Sequence, residues 1–290
     1  MAGMDATAGP TPAPATTRTS EPGTVVYRHS ITTRLTHWVA FVSILVLVMS
    51  GLQIFNAAPY LDASDKSDPA HRVLAFDGQD APGGGSIGTT TIFGHAFTTT
   101  HWFGYTDDGQ GSEAVRAFPG WITFPGYQDL AGGRSWHFFF AWVMVLAGVA
   151  YFAAGAIRKD LALLILRPSD VPKLWPMQAY YLKLRKEPPD HGKYNPLQKA
   201  GYTLVLFVLA PFVVITGLAL APGFDAIAQP IVTLLGGRQF ARTWHFVSML
   251  LLVGFFFGHV FLVASTGLFN NMRSMITGTY RLGKHEGTGP

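Results

Sequence analysis

The sequence predicts an all-α membrane protein: a bundle of four transmembrane helices with a long extracytoplasmic loop between the first and second. Three observations carry this. Four apolar runs are long enough to cross a bilayer, which takes about 20 residues. Charged residues make up 13 % of the chain against 49 % hydrophobic, too few to clothe a soluble surface. Lys and Arg also fall unevenly among the connecting segments, as the positive-inside bias demands.

Residues 1–26 are rich in Ala, Thr and Pro and have no apolar core. They read as a disordered cytoplasmic tail, not a cleaved signal, so the first span must itself direct insertion. The membrane domain is expected over residues 27–281. Its first span runs from about Leu35 to Phe55. The loop 56–133 follows, with nine acidic residues, many Gly and Thr, and the aromatics Trp102, Phe118, Trp121 and Phe124. Its aromatics favour an ordered cap or docking surface over a floppy polar insertion. The second span covers about His137 to Ile157, and LALLIL (161–166) continues or follows it at the interface. The loop 158–200 holds nine basic residues. Within it SDVPKLWPMQAYYLKLRK (169–186) reads as an amphipathic interfacial segment that prolines keep from being one continuous helix. The third span is Gly201 to Leu220 and the fourth Trp244 to Ala264, with TLLGG (233–237) between them as a loop or surface turn. Residues 282–290 form a second tail.

Fifteen of the 21 Lys and Arg residues lie before the first span, after the fourth, or in the 158–200 loop. Both termini and that loop are therefore expected in the cytoplasm, and the 56–133 and 221–242 segments outside. The absence of cysteine excludes disulfides, thiolate-held iron–sulfur clusters, covalent c-type haem and Cys-based zinc sites. A net charge of +4, with its basic residues placed where a membrane protein puts them, gives no sign of nucleic-acid binding.

Ten histidines are present, and His37, His137, His245 and His259 lie in or at the edge of the spans. An ionisable side chain at that depth is costly, so it marks function or a hydrogen bond to a neighbouring helix. His245 and His259 are 14 residues apart. At about 100° per residue they leave the helix on nearly one face, and at about 1.5 Å per residue they stand roughly 21 Å apart along it. That suits two cofactors at two depths and not one metal site. Matching depths from the direction of each span pairs His37 with His259 at the inner face and His137 with His245 at the outer. Haem b is the cofactor that two opposed imidazoles in an apolar bundle most readily hold. Zinc or non-haem iron would want further ligands, and the spans contain no Cys, Asp or Glu.

Arg34, Arg134 and Arg242 each precede a histidine by three residues, which places them on its face one turn nearer water. They suit haem propionates, and equally suit ordinary snorkelling at a helix end. Gly51, Gly148, Gly155, Gly254 and Gly258 would let a porphyrin approach the backbone, or let helices pack closely.

RHSITTRLTHW (28–38), MSGLQIFNAAP (49–59), RSWHFFFAW (134–142), YNPLQKAGY (194–202) and GGRQFARTWHF (236–246), with His259, resemble the bacterial di-haem cytochrome b family. That family includes membrane subunits of formate dehydrogenase and nickel–iron hydrogenase, and the likeness is closest to thiosulfate-reductase-type subunits. The resemblance covers about residues 27–281. It implies two haem b in the pairing above, residence in the bacterial inner membrane and a quinone site beside the cytoplasmic haem. It also implies a periplasmic catalytic subunit, with a molybdopterin oxidoreductase acting on a sulfur compound fitting best. Asn195, Gln198 and Lys199 match the family's quinone stretch, although Pro196 and Leu197 replace small residues of some relatives. Asn195 reads as readily as a plain helix cap. The outer loop is longer than in the simplest relatives and is expected to help dock the partner. Two other readings stay open: a self-sufficient cytochrome b561-type enzyme acting on a small diffusible molecule, and a non-redox anchor or transporter.

Overall fold

A computed structural model describes residues 23–81 and 83–282. Strand β1 (Val25–Tyr27) leads into α1 (Ile31–Phe55). Ser30 caps α1 by accepting the Thr33 N–H at 3.2 Å. Helix α2 (Leu130–Arg158) is capped by Asp129, which accepts the Gly132 N–H at 2.8 Å, and ends at Lys159 in the left-handed region. The third span is continuous from Pro196 to Ala219. The fourth, Arg238–Ser265, starts after Gly237, whose φ of 89° suits only glycine.

The four spans are long and apolar enough to cross a membrane. Each begins four to seven residues before its apolar run does, because polar first turns such as ITTR, AGGRS and RQFART are helical but carry no hydropathy signal. On α2 the exposed residues Phe139, Trp142, Leu146 and Val149 recur every three or four positions, so one greasy stripe faces outward. That stripe has no place in water and belongs against lipid.

Between α1 and α2 the expectation of an all-α chain is corrected. Residues 60–116 form β2 (Tyr60–Asp62), β3 (Arg72–Asp80), β4 (Ser86–Ile92), β5 (His95–Thr98), β6 (Gly104–Asp107) and β7 (Glu113–Arg116). The first four pair antiparallel in chain order and the last two form a separate hairpin. The segments RVLAF and GTTTI carry the β-branched residues that a pleated surface accepts, and glycine-rich turns separate them. Gly88 and Gly104 let two strands meet backbone to backbone, since a Cβ on Gly88 would overlap Phe103 and Tyr105.

This β domain is bolted to the bundle. Phe55 of α1, Phe76, Phe103, Phe118 and Phe246 stack in one aromatic cluster. Asn56 donates to Phe118 O and accepts the Phe118 N–H. Arg116, 4 % exposed, donates to the backbone of Asp108 and Gly126 and to Gln53 Oε1 and Thr123 Oγ1. Gln53 in turn donates to Tyr127 O. Burial pushes the Arg116 guanidinium below its ordinary pKa, opposed by Asp107 and Asp108.

The connection after α2 begins with a turn of 3-10 helix at Leu161–Leu163 and another at Pro168–Lys173 before α3 (Leu174–Tyr181). The third span then comprises α4 (Pro196–Tyr202), a wider π-helical stretch at Thr203–Leu209, and α5 (Ala210–Ala219). Pro211 lacks the N–H that an α-helix would bond four residues back, which accounts for the widening. The stretch expected as a loop or turn before the fourth span instead holds α6 (Pro222–Ile227) and α7 (Gln229–Leu234), with Gly236 and Gly237 as the turn.

After α8 (Arg238–Ser265) come α9 (Leu268–Thr277) and β8 (Thr279–Arg281). Strand β8 pairs antiparallel with β1, Val26 opposite Tyr280. The first and last described strands are therefore joined at the bundle end opposite the β domain. The expected N-terminal tail lies outside the described residues up to residue 22, and Val25 and Val26 belong to a strand. The expected C-terminal tail lies outside them from residue 283.

Candidate cofactor site

The helices pack as two antiparallel pairs, α1 with α2 and α5 with α8. Histidines join the pairs across the middle at two levels. Near the β domain, His137 of α2 faces His245 of α8, with ring centroids 6.2 Å apart. Near the paired chain ends, His37 of α1 faces His259 of α8, with centroids 6.3 Å apart.

The upper pair is held by a repeated device. His137 Nδ1 lies 3.1 Å from Ser50 Oγ on α1, and His245 Nδ1 lies 3.1 Å from Thr216 Oγ1 on α5. His245 Nδ1 is also 3.1 Å from Val213 O. A carbonyl only accepts, so the His245 proton sits on Nδ1 and Nε2 keeps its lone pair. Ser50 and Thr216 have 0 % exposure and each also donates to its own helix backbone, which leaves their oxygens to accept from the rings. Each is followed by a glycine under the ring. A Cβ on Gly51 would stand 3.3 Å from His137 Cε1, and one on Gly217 3.1 Å from His245 Cε1. Sequence reasoning missed the hydroxyl pair, yet the signal was there: MSGL (49–52) and ITGL (215–218) repeat one pattern on the helices that precede the two histidine helices.

The lower pair is less hydrogen-bonded. His37 sits edge-on to Trp38, and His259 stacks on Phe255 at 5.8 Å. His37 Nδ1 and Ser43 Oγ are buried without a hydrogen-bond partner among the described residues.

The three arginines differ. Arg34 donates to Ile276 O on α9, while its buried Nε has no partner among the described residues. It lines a cavity of about 240 Å³ with Ile31, Leu35, Trp38, Met275 and Ile276. Arg134 is exposed and lies 5.8 Å above the Phe138 ring. Arg242 turns toward the β domain, donating to Ala58 O with its guanidinium over Phe55 and Tyr60. Of the glycines, Gly148, Gly254 and Gly258 face no heavy atom within 4 Å of a Cβ position, so close helix packing is not their use.

Asn195 is the N-cap of α4. It accepts the Gln198 N–H at 2.9 Å, Gln198 Oε1 accepts the Asn195 N–H at 3.0 Å, and Asn195 Nδ2 donates to Tyr181 Oη at 3.0 Å. Lys199 pairs with Asp170 at 3.0 Å. All three residues of the expected quinone stretch thus have internal partners. Asp170 is held below its ordinary pKa, chiefly by the Arg167 N–H and then by Lys199.

The donor set fits a metal held between two imidazoles. Bonds of about 2 Å on either side, plus about 1 Å from each nitrogen to its ring centre, put the centroids about 6 Å apart. Both pairs meet that spacing. At the upper pair, hydrogen bonds engage Nδ1 and leave Nε2 to bind, the usual arrangement for a ligating histidine. No cluster of three or more His, Cys, Asp or Glu exists among the described residues, so a site with many protein ligands is not present there.

The family model described as prokaryotic cytochrome b561 matches residues 28–278. The putative protein-methionine-sulfoxide reductase subunit YedZ1 of Azospira oryzae is 28 % identical over 238 residues, covering 80 % of this chain and 87 % of that protein. The probable Ni/Fe-hydrogenase B-type cytochrome subunits of Azotobacter chroococcum and Azotobacter vinelandii are each 30 % identical over 123 residues. These matches cover 39 % of this chain and 51 % of each relative.

Proposed function

The chain belongs to the prokaryotic cytochrome b561 family, and on that premise we propose that it is the di-haem cytochrome b subunit of an oxidoreductase in the bacterial inner membrane. It anchors a periplasmic partner and carries electrons between that partner and the quinone pool. The observation that carries this reading is the pair of histidine couples at two levels of one apolar bundle, with centroids 6.2 and 6.3 Å apart. Haem b bound at each couple would supply reversible one-electron exchange.

His137 and His245 hold the upper haem and His37 and His259 the lower. Ser50 and Thr216 fix the upper rings and keep their Nε2 lone pairs directed away from the backbone. Arg34 and Arg134 have guanidinium capacity to meet a carboxylate at the water-facing edges of the two sites. Arg242 serves chiefly to join α8 to the β domain. The basic 158–200 loop and the joined termini lie on the cytoplasmic side, and the acidic β domain faces the periplasm. There the domain offers the partner a folded surface next to the upper pair. A partner acting on a sulfur compound is supported by the name of the Azospira relative, a methionine-sulfoxide reductase subunit; its molybdopterin type is proposed on the family resemblance alone. Quinone reacts near the lower pair, where Asn195, Gln198 and Lys199 lie in the matching stretch.

The test is a reduced-minus-oxidised spectrum with haem quantification on wild type and on four single histidine-to-alanine variants. His37→Ala and His259→Ala should lose the same haem, and His137→Ala and His245→Ala the other. Loss of mismatched haems would overturn the pairing, and a colourless wild type grown with ample haem would overturn the function.

A further inference from the structure

At the end of the bundle that carries the joined termini, a cavity of about 100 Å³ is lined by Ala162, Leu163, Arg167, Gly192, Lys193, Tyr194 and Lys199. Three of these side chains are cations. Asp170 neutralises Lys199 at 3.0 Å, and the nearby Asp160 is paired with Arg158 at 2.9 Å. Arg167 and Lys193 form no ion pair with any described residue. The cavity thus keeps two cations outside any such ion pair, with Tyr194 beside them and Lys193 Nζ 5.7 Å from its ring centre.

His29 registers the same field. It titrates at about 4, lowered first by burial and then by Arg28 and Lys193. The other wall is apolar. Leu163 lines the cavity and is itself exposed, as are Ile157 at the end of α2 and Ile165 just beyond. A basic recess therefore opens beside greasy surface at the level where a bilayer's headgroups begin. The volume equals about three waters at roughly 30 Å³ each, enough for a phosphate group.

We infer that this recess binds a phosphate group through Arg167, Lys193 and Tyr194. The source is either the headgroup of an anionic phospholipid, whose acyl chains would lie along Leu163, Ile165 and Ile157, or a free phosphate anion. The site is separate from both histidine pairs and does not depend on haem.

The test uses the full-length protein in nanodiscs of phosphatidylcholine with a minor share of phosphatidylglycerol. Retained lipid is counted by native mass spectrometry, and inorganic phosphate is added in a parallel arm. The wild type should retain phosphatidylglycerol selectively. Arg167→Gln with Lys193→Gln should weaken that retention about 25-fold, from roughly fivefold for each cation removed at a membrane surface. Arg167→Lys with Lys193→Arg should preserve it, showing that the fold survives change at these positions. If inorganic phosphate displaces the lipid and raises the melting temperature in pure phosphatidylcholine, the site takes the free anion; if it does neither while lipid is retained, the headgroup is the ligand. Unchanged retention in the double glutamine variant overturns the site. So does an equal loss in Lys183→Gln with Arg185→Gln, which removes two cations from the same loop outside the cavity.

Discussion

Gly217→Ala tests how tightly the upper histidine is held. Alanine in place of glycine inside a helix ordinarily stabilises by up to about 1 kcal/mol. Here the new Cβ would sit 3.1 Å from His245 Cε1, when carbon atoms rest at about 3.5–4.0 Å. About 0.4 Å must be found. The ring cannot simply slide away, because its Nδ1 is tied to Thr216 Oγ1 and Val213 O, both at 3.1 Å. Overpacking of this kind costs roughly 1–3 kcal/mol, which outweighs the helical gain. The variant should be destabilised by up to about 2 kcal/mol and should lose haem from the upper pair. Gly51→Ala, whose Cβ would lie 3.3 Å from His137 Cε1, should show a smaller loss. Gly201→Ala, which meets only Phe255 at an ordinary 3.5 Å, should be neutral or stabilised. Haem per polypeptide and the melting temperature in detergent read both effects. A Gly217→Ala protein with full haem and the stability of Gly201→Ala would refute the reasoning.

Other perturbations follow from the same contacts. Arg116→Met removes a buried donor from four acceptors and should loosen the β domain from α1 by about 3 kcal/mol or more; limited proteolysis should then cut between residues 72 and 116 faster, while the lower haem stays bound. Asn195→Ala loses a helix cap and should cost about 1 kcal/mol in thermal unfolding. If it instead slows quinone-linked reoxidation at unchanged stability, Asn195 is a quinone contact and not only a cap. His29 has a folded pKa of about 4, below its ordinary 6.5. The unfolded chain therefore binds more protons between those values, and stability should be complete above about pH 6.5 and decline as the pH falls toward 4. His29→Gln should flatten that part of the pH profile.

The four spans were legible because twenty apolar residues in a row have few other uses. Depth was legible as well, since the direction of each span sets which histidine stands level with which. What the sequence left dark has physical causes. The segment 60–116 has a Thr- and Gly-rich composition that resembles a solvated loop, and its short strands alternate too briefly to announce themselves. The polar first turns of α2 and α8 are helical only because Asp129 and Gly237 start them. Asn195 carried two meanings at once, and its bonds to Gln198 and Tyr181 needed coordinates to appear. Ser50 and Thr216 went unnoticed because a hydroxyl in a membrane helix usually bonds its own backbone, as both also do.

The strand pair at the chain ends also orders events in time. Val25–Tyr27 leaves the ribosome before the four described spans, and its partner Thr279–Arg281 leaves it after them. The clasp therefore stays open while the four helices are made and closes only after the fourth. Until then the start of α1 is held to the end of the bundle only by side chains, such as Arg34 and Trp38 on α9 and Phe41 on Phe256, without the backbone pairing of the strands. A chain truncated before residue 279 would keep those side-chain contacts and lose the strand pairing.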